Sequence, residues 1–165
     1  MKYGMNLLLW SGEVTSEMLP TCEQLKNAGY DGVELPMFNL ELDYKSLGES
    51  LDSMGLARTA VTIRGEEDNP ISPDASVRAK GVELTKQTLD CCAAAGVETL
   101  VGPYHSALGY FSGAGPTDDE WKWGVDSMRQ VAEHAGQVGV KLGVEALNRF
   151  ECYFLNTHGD SARFV

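Results

Sequence analysis

The sequence predicts an α/β protein in which short parallel strands alternate with amphipathic helices. Short apolar runs of strand length are separated by longer segments in which apolar residues recur with helical periodicity. Serine, threonine or aspartate stands at or near the start of each predicted helix, where its side chain can cap the first turn. Each predicted helix also ends in a glycine followed by an apolar or aromatic residue, an arrangement that terminates helices. The four junctions are Gly29-Tyr30, Gly55-Leu56, Gly96-Val97 and Gly139-Val140.

The individual elements follow from these boundaries. Predicted strands cover residues 3–10, 33–36, 57–63, 99–102 and 141–146. Predicted helices cover residues 16–27, 43–54, 74–95 and 117–138. Alternating strands and helices of this kind build a parallel sheet with right-handed crossovers.

Two architectures contain such a sheet, the doubly wound fold and the (β/α)8 TIM barrel. The segment after the first strand reads Trp10-Ser11-Gly12-Glu13 and lacks the glycine-rich fingerprint of a dinucleotide-binding fold. A barrel takes about 250 residues, and this chain has 165. We therefore predict the N-terminal portion of a single TIM barrel domain over residues 1–165, with about five βα units.

Composition excludes several classes of function. The formal net charge is −11, which disfavours binding to nucleic acid or to an anionic membrane surface. No apolar stretch approaches the length of a membrane span or a signal peptide's apolar region. The four cysteines, Cys22, Cys91, Cys92 and Cys152, form no CxxC pair. We expect reduced thiols and a soluble cytoplasmic protein.

In a barrel the active site forms at the carboxyl ends of the strands. Glu145 is the leading candidate, because an ionised carboxylate at the end of an apolar run is costly unless it is paired or has a function. An ion pair with Arg149 would be the purely structural explanation. Further polar residues lie on the predicted strands or in the loops that follow them: Asn6, Glu34, Arg64, Glu66, Glu67, Tyr104, His105, Asn148 and Glu151. Glu34 could equally be a salt-bridged or rim carboxylate, and Glu151 a solvated loop charge.

The segment from Val144 to Glu151, Val-Glu-Ala-Leu-Asn-Arg-Phe-Glu, resembles the ketose 3-epimerases that act on D-tagatose and D-allulose. This family belongs to the xylose-isomerase-like TIM barrel sugar isomerases and epimerases. Supporting similarity occurs at Ser72-Pro73-Asp74, at Gly102-Pro103-Tyr104-His105-Ser106 and at the opening Lys2-Tyr3-Gly4-Met5. The resemblance extends over essentially the whole chain.

The resemblance implies a divalent-metal enzyme, commonly using Mn²⁺, with Mg²⁺ or Co²⁺ as possible substitutes. It would invert C3 of a free ketose through a cis-enediolate, with two glutamates as acid and base. Glu145 matches the position that serves both as metal ligand and as one of those two glutamates. Glu151 matches a substrate-binding position, and Asn6 and Pro103 match residues that line the sugar pocket. The family also implies a homo-oligomer.

The chain departs from the family pattern at two positions of the pocket wall. Family members often carry an aromatic residue where Asn6 stands and a tryptophan where Leu108 stands. The remaining metal ligands (an aspartate, a histidine and the second glutamate) come from strands six to eight in the family and are expected beyond Val165. We therefore expect the 165-residue chain alone to be inactive and draw no preferred ketose from the resemblance.

Two alternatives stay open. One is another xylose-isomerase-like barrel enzyme, of the hydroxypyruvate isomerase or inosose dehydratase type. The other is a non-catalytic half-barrel, if the chain truly ends at Val165.

Overall fold

Five parallel strands alternate with five helices along the chain, which confirms the predicted fold class. The computed structural model describes all 165 residues, Met1–Val165. The strands are β1 Gly4–Asn6, β2 Gly32–Pro36, β3 Ala57–Val61, β4 Thr99–Gly102 and β5 Lys141–Val144. The helices are α1 Leu19–Asn27, α2 Tyr44–Ser53, α3 Ala75–Ala94, α4 Asp118–Val138 and α5 His158–Phe164. The sheet order is β1-β2-β3-β4-β5, so every strand lies beside its neighbour in sequence.

The strand ends are staggered along the sheet in the way that a barrel requires. Asn6, the last residue of β1, pairs with Glu34, whereas β2 continues to Pro36. Val61, the last residue of β3, pairs with Val101, and β4 continues by one residue more to Gly102. A progressive shift of the register is the shear that closes a tilted sheet into a barrel. The five strands therefore form part of an α/β barrel.

The two faces of the sheet have different neighbours. Successive side chains of a strand point to opposite faces. Val33, Leu35, Ala60 and Leu100 are all at most 2% exposed and belong to one core cluster with apolar residues of the helices. Glu34 and Thr59 alternate with them and are only half-buried. The opposite face is therefore the concave, inward face of the barrel, and the carboxyl ends of its strands are where a barrel places its site.

The four predicted helix ends have the expected backbone conformation. Gly29, Gly55, Gly96 and Gly139 all have positive φ, between 66° and 95°. The amide of the residue after each glycine donates to a carbonyl five residues back, as in Leu56 to Leu51 at 3.0 Å. This is the second hydrogen bond of a Schellman motif, and it turns the chain back toward the sheet.

Three strands are shorter than predicted. β1 ends at Asn6, because residues Leu7–Leu9 form a 3-10 turn that the Asn6 side chain caps by accepting from the Leu8 amide at 2.8 Å. β3 ends at Val61 instead of residue 63, and β5 ends at Val144 instead of residue 146. The predicted helices are confirmed within three residues at each end. No helix is long and apolar enough to span a membrane.

Helix α3 approaches the loop after β3 so closely that glycine is required at the contact. A Cβ atom added at Gly81 would lie 2.1 Å from the main-chain oxygen of Asp68. Because a backbone atom cannot move aside as a flexible side chain can, any larger residue must separate α3 from this loop.

We predict that Gly81→Ala destabilises the fold by about 1–3 kcal/mol, since overpacking forces the backbone to shift. The matched control is Gly136→Ala in α4, where an added Cβ meets no atom within 4 Å. That change should stabilise the protein by about 0.5–1 kcal/mol through helix propensity. Urea denaturation of the two variants measures both effects, and a neutral Gly81→Ala would show that the contact is loose.

Candidate active site

A row of hydrogen-bonded polar side chains crosses the concave face of the first three strands. Asn6, Glu34 and Thr59 are paired in register across β1, β2 and β3. The Asn6 amide donates to Glu34 Oε1 at 3.0 Å, and the Thr59 hydroxyl donates to Glu34 Oε2 at 2.8 Å. Each oxygen of the Glu34 carboxylate thus has a donor from a neighbouring strand. Glu34 is held in place by neutral groups and has no cationic partner.

The Asn6 side chain makes two hydrogen bonds within the protein. Its side-chain oxygen caps the turn Leu7–Leu9, while its amide nitrogen donates to Glu34. These two bonds fix the side chain at the end of β1, on the wall of the concave face. Asn6 is the last residue of β1, and half of its hydrogen-bonding capacity is already used within the protein.

Glu145 lies immediately after the last residue of β5, at the mouth of the concave face. Its main chain is held on both sides, since its amide donates to Gly102 O at 3.2 Å and its carbonyl contacts His105 Nε2 at 3.0 Å. Its carboxylate makes no hydrogen bond and no ion pair. The suggested ion pair with Arg149 is therefore wrong, and so is the premise that Glu145 is buried, because the residue is exposed.

The electrostatic surroundings of Glu145 are unfavourable to its charge. Although the residue as a whole is exposed, neighbouring atoms partly shield its carboxyl from water, which raises its pKa, and the negative charges of Glu34 and Glu151 raise it further. Glu34, Glu145 and Glu151 therefore share one region of the site. Nothing within the chain compensates the negative charge that collects there.

Glu151 lies on the loop that follows Glu145. Asn148 donates from its side-chain amide to the Glu151 carboxylate and accepts from the Phe150 amide at 2.9 Å. The main-chain oxygen of Glu151 accepts from the Gly109 amide at 2.8 Å. The carboxylate is thus oriented by Asn148, while its backbone is tied to the loop after β4.

Pro103 is buried directly after the last residue of β4. Leu108, where the family often has tryptophan, is half-buried in the same loop, and its amide donates to Arg64 O at 2.8 Å. Both residues lie between the ends of β3 and β5, on the side of the mouth that also carries Glu145.

Arg64 was expected among the polar groups of the site, and the structure places its side chain elsewhere. It is 7% exposed and contacts α3, donating to Thr85 at 2.9 Å and Thr88 at 3.1 Å. Asp68 forms its ion pair at 3.4 Å. Burial lowers the pKa of Arg64, and the nearby Asp68 opposes that shift. Arg64 therefore joins the loop after β3 to helix α3 and does not line the mouth.

His105 also differs from an exposed ligand, because it is fully buried. Burial lowers the pKa of its imidazole to about 4, with the hydrogen bond to Glu145 opposing the shift. The ring is therefore neutral at neutral pH. No three His, Cys, Asp or Glu side chains of the chain lie close enough together to hold a metal ion.

Sequence reasoning missed Thr59, Ser106 and Cys152. Thr59 could have been found by counting along β3, since it alternates with buried Ala60 and pairs in register with Glu34. Ser106 and Cys152 gave no such signal, because their contact joins two irregular loops 46 residues apart.

Known proteins resemble this chain in sequence and in fold. A family model described as the xylose isomerase-like TIM barrel matches residues 22–165. The chain belongs to this family. That membership confirms the barrel fold.

Similar members of the xylose isomerase-like barrel family are ketose 3-epimerases, as the sequence resemblance indicated. The chain is 28% identical to a D-psicose 3-epimerase of Agrobacterium fabrum, with 100% of this chain and 59% of the relative covered. It is 30% identical to an L-ribulose 3-epimerase of Mesorhizobium japonicum, covering 99% of the chain and 56% of the relative. The chain thus spans somewhat more than half the length of these relatives.

The structural comparison agrees. A D-allulose 3-epimerase from Methylomonas sp., solved in complex with D-allulose, superposes with a TM-score of 0.91 at 25% identity. The alignment covers 99% of this chain and 57% of that structure. An L-ribulose 3-epimerase structure also gives a TM-score of 0.91, at 28% identity, with 100% and 56% covered.

We predict that Glu145→Gln stabilises the protein at neutral pH when no divalent cation is added. The folded state raises the pKa of Glu145, so the wild-type protein loses stability as pH rises from the ordinary glutamate pKa of about 4.3 through the folded value. The glutamine variant has no such loss. The free energy of unfolding of Glu145→Gln should equal that of the wild-type protein at more acidic pH and exceed it most at neutral pH, as measured by urea denaturation.

Glu120→Gln is the matched control for this prediction. The Glu120 carboxylate accepts from the Thr117 amide at 2.7 Å and from the Tyr153 hydroxyl at 2.6 Å. Glutamine keeps one acceptor of this capping box but loses the second acceptor and the negative charge at the start of α4, which should destabilise the protein by about 0.3–1 kcal/mol. If both variants are destabilised at neutral pH, Glu145 has a favourable partner in solution and the prediction is wrong.

Proposed function

We propose that the protein is a divalent-metal-dependent ketose 3-epimerase in which Glu145 moves the C3 proton. The observation that carries the proposal is the Glu145 carboxylate, which lies at the mouth of β5 without any hydrogen bond or ion pair. A carboxylate with free lone pairs, fixed through its main chain, can accept a proton from a carbon atom. The named activities of the relatives supply the substrate class.

Glu145 fits a divalent cation as a single ligand, although no three potential ligands of this chain lie together. Carboxylate oxygens are suitable ligands for Mn²⁺ and Mg²⁺, and the Glu145 carboxylate has both oxygens available. Glu34 and Glu151 add negative charge that raises the pKa of Glu145, and a bound cation would relieve this repulsion. Glu145 would supply one ligand, and the relatives are long enough to supply further ligands outside the segment matched here. When bound, the cation supplies Lewis-acid stabilisation of the charge that develops on the substrate oxygens.

The chain's own groups would divide the work as follows. Glu145 removes the C3 proton beside the ketone, which yields the cis-enediolate. Return of a proton to the opposite face requires a second acid, for which the family resemblance implies a glutamate outside this chain. Glu151, oriented by Asn148, accepts hydrogen bonds from substrate hydroxyls. The resemblance implies that Asn6 and Pro103 line the sugar pocket; Asn6 is half-buried on the concave face, whereas Pro103 is buried within this chain.

We further propose a cytoplasmic, homo-oligomeric enzyme. Four free thiols, three of them buried, support a reducing compartment. The family resemblance supports the homo-oligomer, and size-exclusion chromatography with light scattering would test it.

The proposal predicts C3 epimerisation by the purified protein that contains this chain, with Mn²⁺ added. D-psicose and L-ribulose, the sugars named for the relatives, should exchange the C3 proton for deuterium in D₂O and give the C3 epimer by NMR. Glu145→Gln should lower kcat by about 10²- to 10⁴-fold, since it removes the general base. The exposed Glu49→Gln in α2 should leave the rate unchanged.

Other products would decide against the proposal. Aldose formation or dehydration would indicate another xylose-isomerase-like barrel enzyme, of the hydroxypyruvate isomerase or inosose dehydratase type. No C3 exchange with Mn²⁺, Mg²⁺ or Co²⁺ would support a non-catalytic sugar-binding role. The 165-residue chain alone, assayed in parallel, is expected to be inactive because it contains only one of the metal ligands that the resemblance implies.

A further inference from the structure

The loop after β4 is tied to the segment that carries Glu145 and Glu151. His105 Nε2 lies 3.0 Å from Glu145 O, and the Gly109 amide donates to Glu151 O at 2.8 Å. Between these two contacts, Ser106 Oγ lies 3.4 Å from Cys152 Sγ. Both glutamates of the motif are thus held by one loop through their main chain.

The hydrogen bonds among these groups can run in one direction only. Glu145 O is a carbonyl oxygen and only accepts, so His105 Nε2 carries the proton and donates. His105 Nδ1 is then an acceptor, and the Ser106 hydroxyl donates to it at 3.0 Å. The Cys152 thiol donates to Ser106 Oγ, and Cys152 Sγ accepts from the Phe154 amide at 3.3 Å. The chain therefore runs from the Phe154 amide through Cys152, Ser106 and His105 to Glu145.

Burial makes this chain rigid. His105, Ser106 and Cys152 are at most 2% exposed, so water does not compete for their bonds. The imidazole ring packs against Phe154 and Phe164, with ring centroids 5.9 and 6.3 Å apart. Directional hydrogen-bond chains in such surroundings strengthen one another.

We propose that His105 is the positioning residue of Glu145, fixing the peptide of Glu145 through this chain of hydrogen bonds. The Glu145 carboxylate has no partner, so its position depends on the main chain that carries it. That main chain is held by Gly102 on one side and by His105 on the other. The catalytic part of this inference rests on the proposed epimerase function. The hydrogen-bond chain itself does not.

A series of variants separates the hydrogen bond from the packing of the ring. His105→Phe keeps an aromatic ring and removes both hydrogen bonds, while His105→Gln offers an amide that can reach the position of Nε2. We expect kcat to fall on the order of 10- to 100-fold in His105→Phe with KM within about twofold, because misplacement affects the reacting group and not sugar binding. His105→Gln should recover most of this loss. Equal losses in both variants, or an unchanged kcat in a folded His105→Phe, would overturn the inference.

Two readouts are independent of activity. Ring ¹⁵N NMR of the wild-type protein should show a neutral imidazole with the proton on Nε2, and Ser106→Ala and Cys152→Ala should each shift the Nδ1 resonance. Hydrogen exchange of the Glu145 amide should be faster in His105→Phe and restored in His105→Gln. A ring protonated on Nδ1, or unchanged exchange at Glu145, would refute the positioning role even in an active enzyme. The expected tautomer and exchange in a protein without C3 exchange would refute the epimerase function alone.

Discussion

Hydrogen bonds fix the backbone of Glu145 while its carboxylate has no partner in this chain, and the organisation of the site depends on this contrast. The amide of Glu145 bonds to the last residue of β4, and its carbonyl bonds to the loop that follows β4. A parallel sheet makes this possible, because the carboxyl ends of neighbouring strands meet at one edge. A side chain with free lone pairs can therefore occupy a defined place without any interaction of its own.

The same edge carries a second, contrasting carboxylate. Glu34 is fixed by its side chain, with one oxygen bonded to Asn6 and the other to Thr59. These donors are neutral, so they hold Glu34 without cancelling its charge. The negative charge of Glu34 therefore contributes to the raised pKa of Glu145. This uncompensated negative charge supports the cation site that we propose at the mouth.

Much of the fold could be predicted because its signals are local. The glycine at each helix end needs a left-handed conformation, and Asp43, Asp74 and Thr117 cap the helices that follow them. Glu145 was found for a similar reason, as a charge next to an apolar run. Arg64 could not be placed, because its partners Thr85 and Thr88 come from a helix about 20 residues away and look like ordinary helix positions in the sequence. Strand β1 was overestimated because Leu7 to Leu9 are apolar, whereas the capping bond of Asn6 turns them into a 3-10 helix.

The carboxylates of this chain differ in the hydrogen bonds that they accept, and this difference supports a functional role for Glu145. The carboxylates of Asp160 and Glu120 each accept several hydrogen bonds at a helix start, so their charges stabilise the fold. Glu145 accepts none and lies in a field of like charge. A residue selected only for stability would be replaced at such a place, since an amide or an apolar group there removes the repulsion. No hydrogen bond or ion pair within this chain offsets the cost, and the hydrogen bonds to the Glu145 backbone keep its carboxylate in position for the cation and the proton transfer that we propose.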